Sequence, residues 1–167
     1  MRIMTLLIAA AAIASALPCA AQLPSAEGHA SYARTTQSHQ NAWGAGGNVE
    51  LTWGGKQAPA QLGTALGLDY QKEENGGSKQ TNASLDVTLQ PGGGSLFTPY
   101  AGGSVSENWM SGPGSPSGAQ LGLQYIIGAQ LKLGPGSPLA LTAEVRPGYV
   151  RTQEHSVTAR LGVTVQL

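Results

Sequence analysis

From residue 29 onward, apolar and polar side chains alternate in stretches of about ten residues, separated by Gly, Pro, Ser and Asn. The clearest stretch places Leu121, Leu123, Tyr125, Ile127, Ala129, Leu131 and Leu133 on one face. Gln120, Gly122, Gln124, Gly128, Gln130 and Lys132 fall in the gaps. Successive side chains of a strand point to opposite faces, so each stretch has one apolar and one polar side. The pattern predicts eight strands, over 29–37, 43–54, 60–71, 79–89, 96–107, 118–133, 139–150 and 156–167. Eight is the smallest even number that closes a transmembrane barrel. The fold class expected is therefore all-β: an eight-stranded antiparallel up-and-down transmembrane barrel.

The connections fall into two alternating sets. Segments 55–59, 90–95 and 134–138 are compact Gly/Pro turns, the chemistry of tight hairpins. Segments 38–42, 72–78, 108–117 and 151–155 are more polar, and one of them is longer. That alternation predicts short periplasmic turns, extracellular loops and two periplasmic termini. The aromatic residues fall at strand ends accordingly, Trp43, Tyr70, Trp109 and Tyr149 toward the loops and Trp53, Phe97 and Tyr100 toward the turns. Two such belts are expected where a barrel crosses the membrane boundaries.

The first residues read as an address. Arg2 precedes a short apolar core over 6–17, and Pro18, Cys19, Ala20 and Ala21 form a small-residue exit, as in a signal peptide cut after Ala21. The apolar run is too short for a retained transmembrane helix. Pro18 and Ala16 beside Cys19 argue against a lipidated cysteine, and cleavage removes the only thiol. The expected domains are a signal peptide over 1–21, a periplasmic lead-in over 22–28 and a barrel over 29–167.

Composition decides which face looks outward. Charged residues make up 11% of the chain, against about 25% in an ordinary soluble domain. A soluble sandwich or lipocalin-like barrel needs charge on its outer face, whereas these polar faces are mostly Gly, Ser, Thr, Asn and Gln. They suit a narrow interior, and the apolar faces suit lipid. With nine basic and nine acidic residues and no basic patch, nucleic acid is not an expected partner.

If the apolar faces meet lipid, Glu50, Asp69, Asp86, Lys132, Glu144, Arg146 and Arg160 point into the lumen. Unpaired charges in so narrow a space are costly, so an interior ion-pair network is expected, centred on Glu144, Arg146 and Arg160. It would serve as a polar core that blocks leakage or, alternatively, as the plug of a narrow porin-like channel. Catalytic chemistry has little to stand on. His155 and Ser156 are adjacent and so face opposite ways, with Glu154 the only nearby acid. The lipid A deacylase family places its His and Ser two apart, a spacing absent here. His29 and His39 are isolated in sequence, so no metal site and no cofactor are expected. Gly92, Gly93 and Gly94 are turn glycines without the strand-to-helix context of a phosphate loop.

The leader, eight strands and short turns resemble the OmpA/OmpX-type family of small outer-membrane barrels. The stretch Phe97-Thr98-Pro99-Tyr100-Ala101-Gly102-Gly103-Ser104-Val105 resembles a small-residue, Pro-Tyr-containing strand of that family. Leu161, Val163, Val165 and Leu167 resemble its C-terminal signal for the barrel assembly machinery, with Leu167 where relatives usually carry Phe. The resemblance implies a Gram-negative outer-membrane location and a single barrel, without the peptidoglycan-binding domain of some relatives. It implies outer-membrane lipids and the assembly machinery as partners. The function expected is non-enzymatic, contributing to envelope structure or surface interaction through the loops. Trp109 and Met110 are the expected loop contact surface for an extracellular ligand. A lipid-modifying enzyme and a soluble secreted barrel are the remaining alternatives.

Overall fold

A computed structural model describes residues 24–36, 38–54, 57–74, 77–113, 115, 117–150 and 155–167. The leader over 1–21 lies outside these residues. The described chain forms eight strands, β1 (Ser25–Thr35), β2 (Asn41–Trp53), β3 (Ala60–Glu73), β4 (Lys79–Pro91), β5 (Phe97–Ser111), β6 (Ala119–Lys132), β7 (Leu139–Val150) and β8 (His155–Gln166). Each pairs antiparallel with its sequence neighbours, and β1 pairs with β8, closing the sheet into a barrel. Closure gives every strand two partners and leaves no free edge.

The period-two pattern sorts the side chains. Tyr125 is 74% exposed and Leu161 is 70% exposed, in an outer belt continued by Ile127, Leu68, Leu89, Leu141 and Val163. The residues sealed from solvent are mostly polar and face inward, among them Ser31, Asp69, Asn82, Asp86, Asn108, Glu144, Arg146 and Arg160. A water-soluble barrel has the opposite arrangement.

Two strands depart by four residues at one end from the sequence expectation, and the others by no more than two at either end. β1 starts at Ser25 rather than 29, so the end of the expected lead-in, including Glu27, belongs to the barrel wall. Ser25, Ala26, Glu27 and Gly28 carry no large apolar group, and it is the ladder to β2 and β8 that fixes them as strand. β5 runs on to Ser111, with Trp109 opposite Thr81 and Ala119. Trp109 and Met110 therefore stand on a strand rather than on a loop. Met110 borders an interior cavity, and the outward position falls to Trp109.

The first described residues and Leu167 lie at the end of the barrel that holds the β2–β3, β4–β5 and β6–β7 turns. Ser25 sits opposite Glu50 and Gln166, and the Leu167 amide donates to the Pro24 carbonyl at 2.8 Å.

Candidate functional site: the charged lumen

Inward positions on six strands bring one polar chain across the barrel. The His29 ring nitrogens lie 3.3 Å from a Glu27 oxygen and 2.6 Å from Asp69 Oδ1. Arg160 reaches Asp69 Oδ2 at 2.6 Å and approaches Glu144 Oε2 at 3.9 Å. Arg146 donates through Nε to Glu144 Oε2 at 2.6 Å, and its Nη1 lies 2.8 Å from Asp86 Oδ2. Tyr100 donates its hydroxyl to Glu144 Oε1 at 2.7 Å. Contact runs unbroken from Glu27 on β1 through His29, Asp69, Arg160, Glu144 and Arg146 to Asp86 on β4. Arg146, at 1% exposure, is among the most deeply buried side chains of the protein.

The two strands that add no charge to this chain make room for it. On β2, a Cβ at Gly46 would lie 2.4 Å from Asp69 Oδ1 and 2.8 Å from His29 Nε2. On β6, a Cβ at Gly128 would lie 2.5 Å from the Tyr100 ring, which its register partner lays across it. Glycine at these two positions lets large polar groups meet near the barrel axis. Ile126, the next inward residue on β6, is buried and fills space beside them.

A cavity opens on either side of the charged chain. The one at the turn end has a volume of about 110 Å³ and is bordered by Glu27, Glu50, Asp86, Lys132, Glu144 and Arg146. The one at the loop end has a volume of about 410 Å³ and is bordered by Asp69, Gln71, Asn82, Met110, Gln124 and Arg160. Asp69 and Arg160 thus face one cavity while Asp86, Glu144 and Arg146 face the other. The ion pairs occupy the partition between them.

Of the seven charges assigned to the lumen from sequence, Asp69, Asp86, Glu144, Arg146 and Arg160 meet in this chain. Glu50 and Lys132 border the turn-end cavity and have no ion-pair partner among the described residues. Sequence reading missed Glu27 and treated His29 as isolated. Its partners are on the same strand and on β3, 40 residues away. Tyr100 is also placed differently from the expected belt: its ring faces inward. The signal was in the spacing, because residues three apart on a strand face opposite ways and Phe97 is exposed.

Trp43, Tyr70, Phe97 and Tyr149 are exposed at strand ends, and Trp53 and Trp109 are half-buried there. The Trp43 indole donates to Glu74, and the Trp53 indole donates to Thr64 at 2.9 Å. Leu161, Val163, Val165 and Leu167 are all exposed, the first three on the outer face of β8. His155 begins β8, exposed, with its ring 5.4 Å from that of Tyr149. Ser156, with the opposite parity, borders the loop-end cavity. Glu154 lies outside the described residues. Among the described residues no group of three or more His, Cys, Asp or Glu side chains is arranged to hold a metal ion.

Comparison with solved structures gives the class of fold. The chain is similar to neisserial surface protein A, with 21% identity over 88% of this chain and 99% of that one and a TM-score of 0.66. It is similar to the outer membrane enzyme PagL, with 14% identity over 84% and 99% and a TM-score of 0.58. The attachment invasion locus protein Ail of Yersinia pestis matches with 12% identity over 89% and 99% and a TM-score of 0.57. The fold is that of the small eight-stranded outer-membrane barrels. No family model matches the chain, and no curated protein sequence does.

Proposed function

We propose that this chain is an integral outer-membrane protein without enzymatic activity. Its closed barrel stabilises the envelope or presents loops for surface interaction. The observation that carries this reading is the pairing of an exposed apolar exterior with a lumen partitioned by buried ion pairs. A charged chain linking β1, β3, β4, β5, β7 and β8 is suited to hold the wall in register and to block the axis. Passage of a hydrated ion would require separating ion-pair contacts of 2.6–2.8 Å.

In this reading the turns and both termini are periplasmic and the four remaining connections are extracellular. The outer face of β8, with Leu161, Val163 and Val165, serves as the signal for the assembly machinery. The connection after Ser111, exposed at Gly112 and Pro113, takes the contact role expected of Trp109 and Met110, because both of those residues are held in the wall. PagL has the same fold and is an enzyme, so the fold leaves activity open. The non-enzymatic reading rests on the site: His155 is at the outer rim while Ser156 turns inward.

The test combines location with conductance. The reading expects the protein in the outer-membrane fraction, migrating differently in detergent before and after boiling. In planar bilayers the wild type, Arg146→Met and Arg160→Met proteins should give no stepwise current. Stepwise currents in the wild type that change with either substitution would establish the channel reading instead. Hydrolysis of envelope lipids that vanishes in His155→Ala would establish an enzyme.

A further inference from the structure

Lys72 and Lys79 are direct cross-strand partners at the loop end of β3 and β4. Parity places both outside the lumen: Asp69 and Gln71 on β3 and Gln80 and Asn82 on β4 border the interior cavity, and the lysines alternate with them. Both are exposed, and Lys79 also touches the cavity rim. Neither ammonium group has an ion-pair or hydrogen-bond partner among the described residues. Glu73, the acid adjacent to Lys72, has the opposite parity and borders the interior cavity, and Glu74 is engaged by Trp43 and Asn41.

Two like charges directly opposite one another destabilise a strand pair unless an anion lies between them. Their height identifies the anion. Below them the outer face of β3 is Leu62, Thr64, Leu66, Leu68 and Tyr70, and that of β4 is Leu89, Val87, Leu85, Ala83 and Thr81. Trp43 is the partner of Lys72 on β2, its ring centroid 4.7 Å from that of Tyr32 with the two planes tilted by 53°, and Trp109 is the partner of Thr81 on β5. Indole and phenol rings settle at the headgroup boundary, so the ammonium groups next to them stand at the level of lipid phosphates.

We propose that Lys72 and Lys79, framed by Trp43, Tyr70 and Trp109, form a binding site for the phosphate of an anionic membrane lipid in the leaflet at the loop end. The phosphate sits between the two ammonium groups, relieves their repulsion and accepts hydrogen bonds from both. The acyl chains lie along the outer apolar faces of β3 and β4. This site rests on the membrane-spanning reading above.

The test uses tryptophan fluorescence in phosphatidylcholine vesicles. A Trp53→Phe variant keeps only Trp43 and Trp109 among the tryptophans, both beside the lysines. Phosphatidic acid with brominated chains is titrated into the bilayer, and brominated phosphatidylcholine is the reference quencher. Quenching at a lower mole fraction of phosphatidic acid than of phosphatidylcholine is expected. The preference should fall about fivefold for each of Lys72→Gln and Lys79→Gln and persist in Lys72→Arg/Lys79→Arg. Equal quenching by both lipids, or a preference that survives Lys72→Gln/Lys79→Gln, would overturn the site. Heat-dependent gel mobility, read on the same samples, separates these outcomes from failure to span the membrane. Loss of the mobility difference in the unsubstituted barrel would overturn the membrane reading and the site with it.

Discussion

Arg146→Met is the sharpest test of the lumen. The guanidinium lies 2.6 Å from a Glu144 oxygen and 2.8 Å from an Asp86 oxygen, at 1% exposure. Methionine fills much of the side chain's volume and removes the charge. Glu144 keeps its bond from Tyr100 at 2.7 Å and a distant Arg160 at 3.9 Å, while Asp86 loses the only ion pair shown for it among the described residues. Breaking a buried pair by removing one partner typically costs about 3–5 kcal/mol, because the other charge is left uncompensated. The expected loss is therefore about 3 kcal/mol, at the lower end because the turn-end cavity beside Asp86 can admit solvent. The assay is urea unfolding of the barrel refolded in phospholipid vesicles, followed by tryptophan fluorescence. The midpoint should fall while the slope against denaturant is unchanged. Adding Asp86→Asn to Arg146→Met removes the stranded charge and should recover about 1–2 kcal/mol of the loss. A single-variant cost under about 1 kcal/mol, or no recovery in the double variant, would refute the argument that the lumen ion pairs hold the wall.

Other substitutions probe separate parts of the reasoning. Ile127→Arg, mid-strand on the outer face, should cost about 2–4 kcal/mol in vesicles, while Ser111→Arg at the rim should cost less than about 1 kcal/mol. Equal costs in vesicle unfolding would contradict a lipid-facing exterior. Tyr100→Phe keeps the ring over Gly128 but loses the hydroxyl's bond to Glu144, with an expected urea-unfolding cost of about 1.5–3 kcal/mol. Gly46→Val forces a side chain into the space of the His29–Asp69 contact. Its unfolding midpoint should fall by the equivalent of about 3 kcal/mol, and the unboiled form should lose its fast mobility.

Strand number and facing were legible because they depend on alternation, a local property repeated along each strand. The places where reading failed are those where local pattern and wall geometry part. Ser25, Ala26, Glu27 and Gly28 have too little apolar contrast to register as a strand, and only pairing with β2 and β8 recruits them. Met110, an apolar residue at an inward position, blurred the end of β5. The membership of the charged chain was legible as a set of inward positions, whereas its connectivity was not. Asp69 and Arg160 are 91 residues apart, and their meeting depends on tilt and register around a closed wall. Glycines 46 and 128 read as weak strand residues, and their use emerged only with the side chains that lie over them.

Pairing of β1 with β8 has a consequence for biogenesis. Arg160 arrives with the final strand, and until that strand docks on β1, Asp69 and His29 lack it and the wall is open to lipid beside several charges. In the membrane-spanning reading, a barrel without β8 leaves Asp69 without the guanidinium that meets it at 2.6 Å and leaves the charged interior open along one side. Docking of the last hairpin supplies that cation and closes the wall in one step, so strand closure and stable insertion are expected to be coupled.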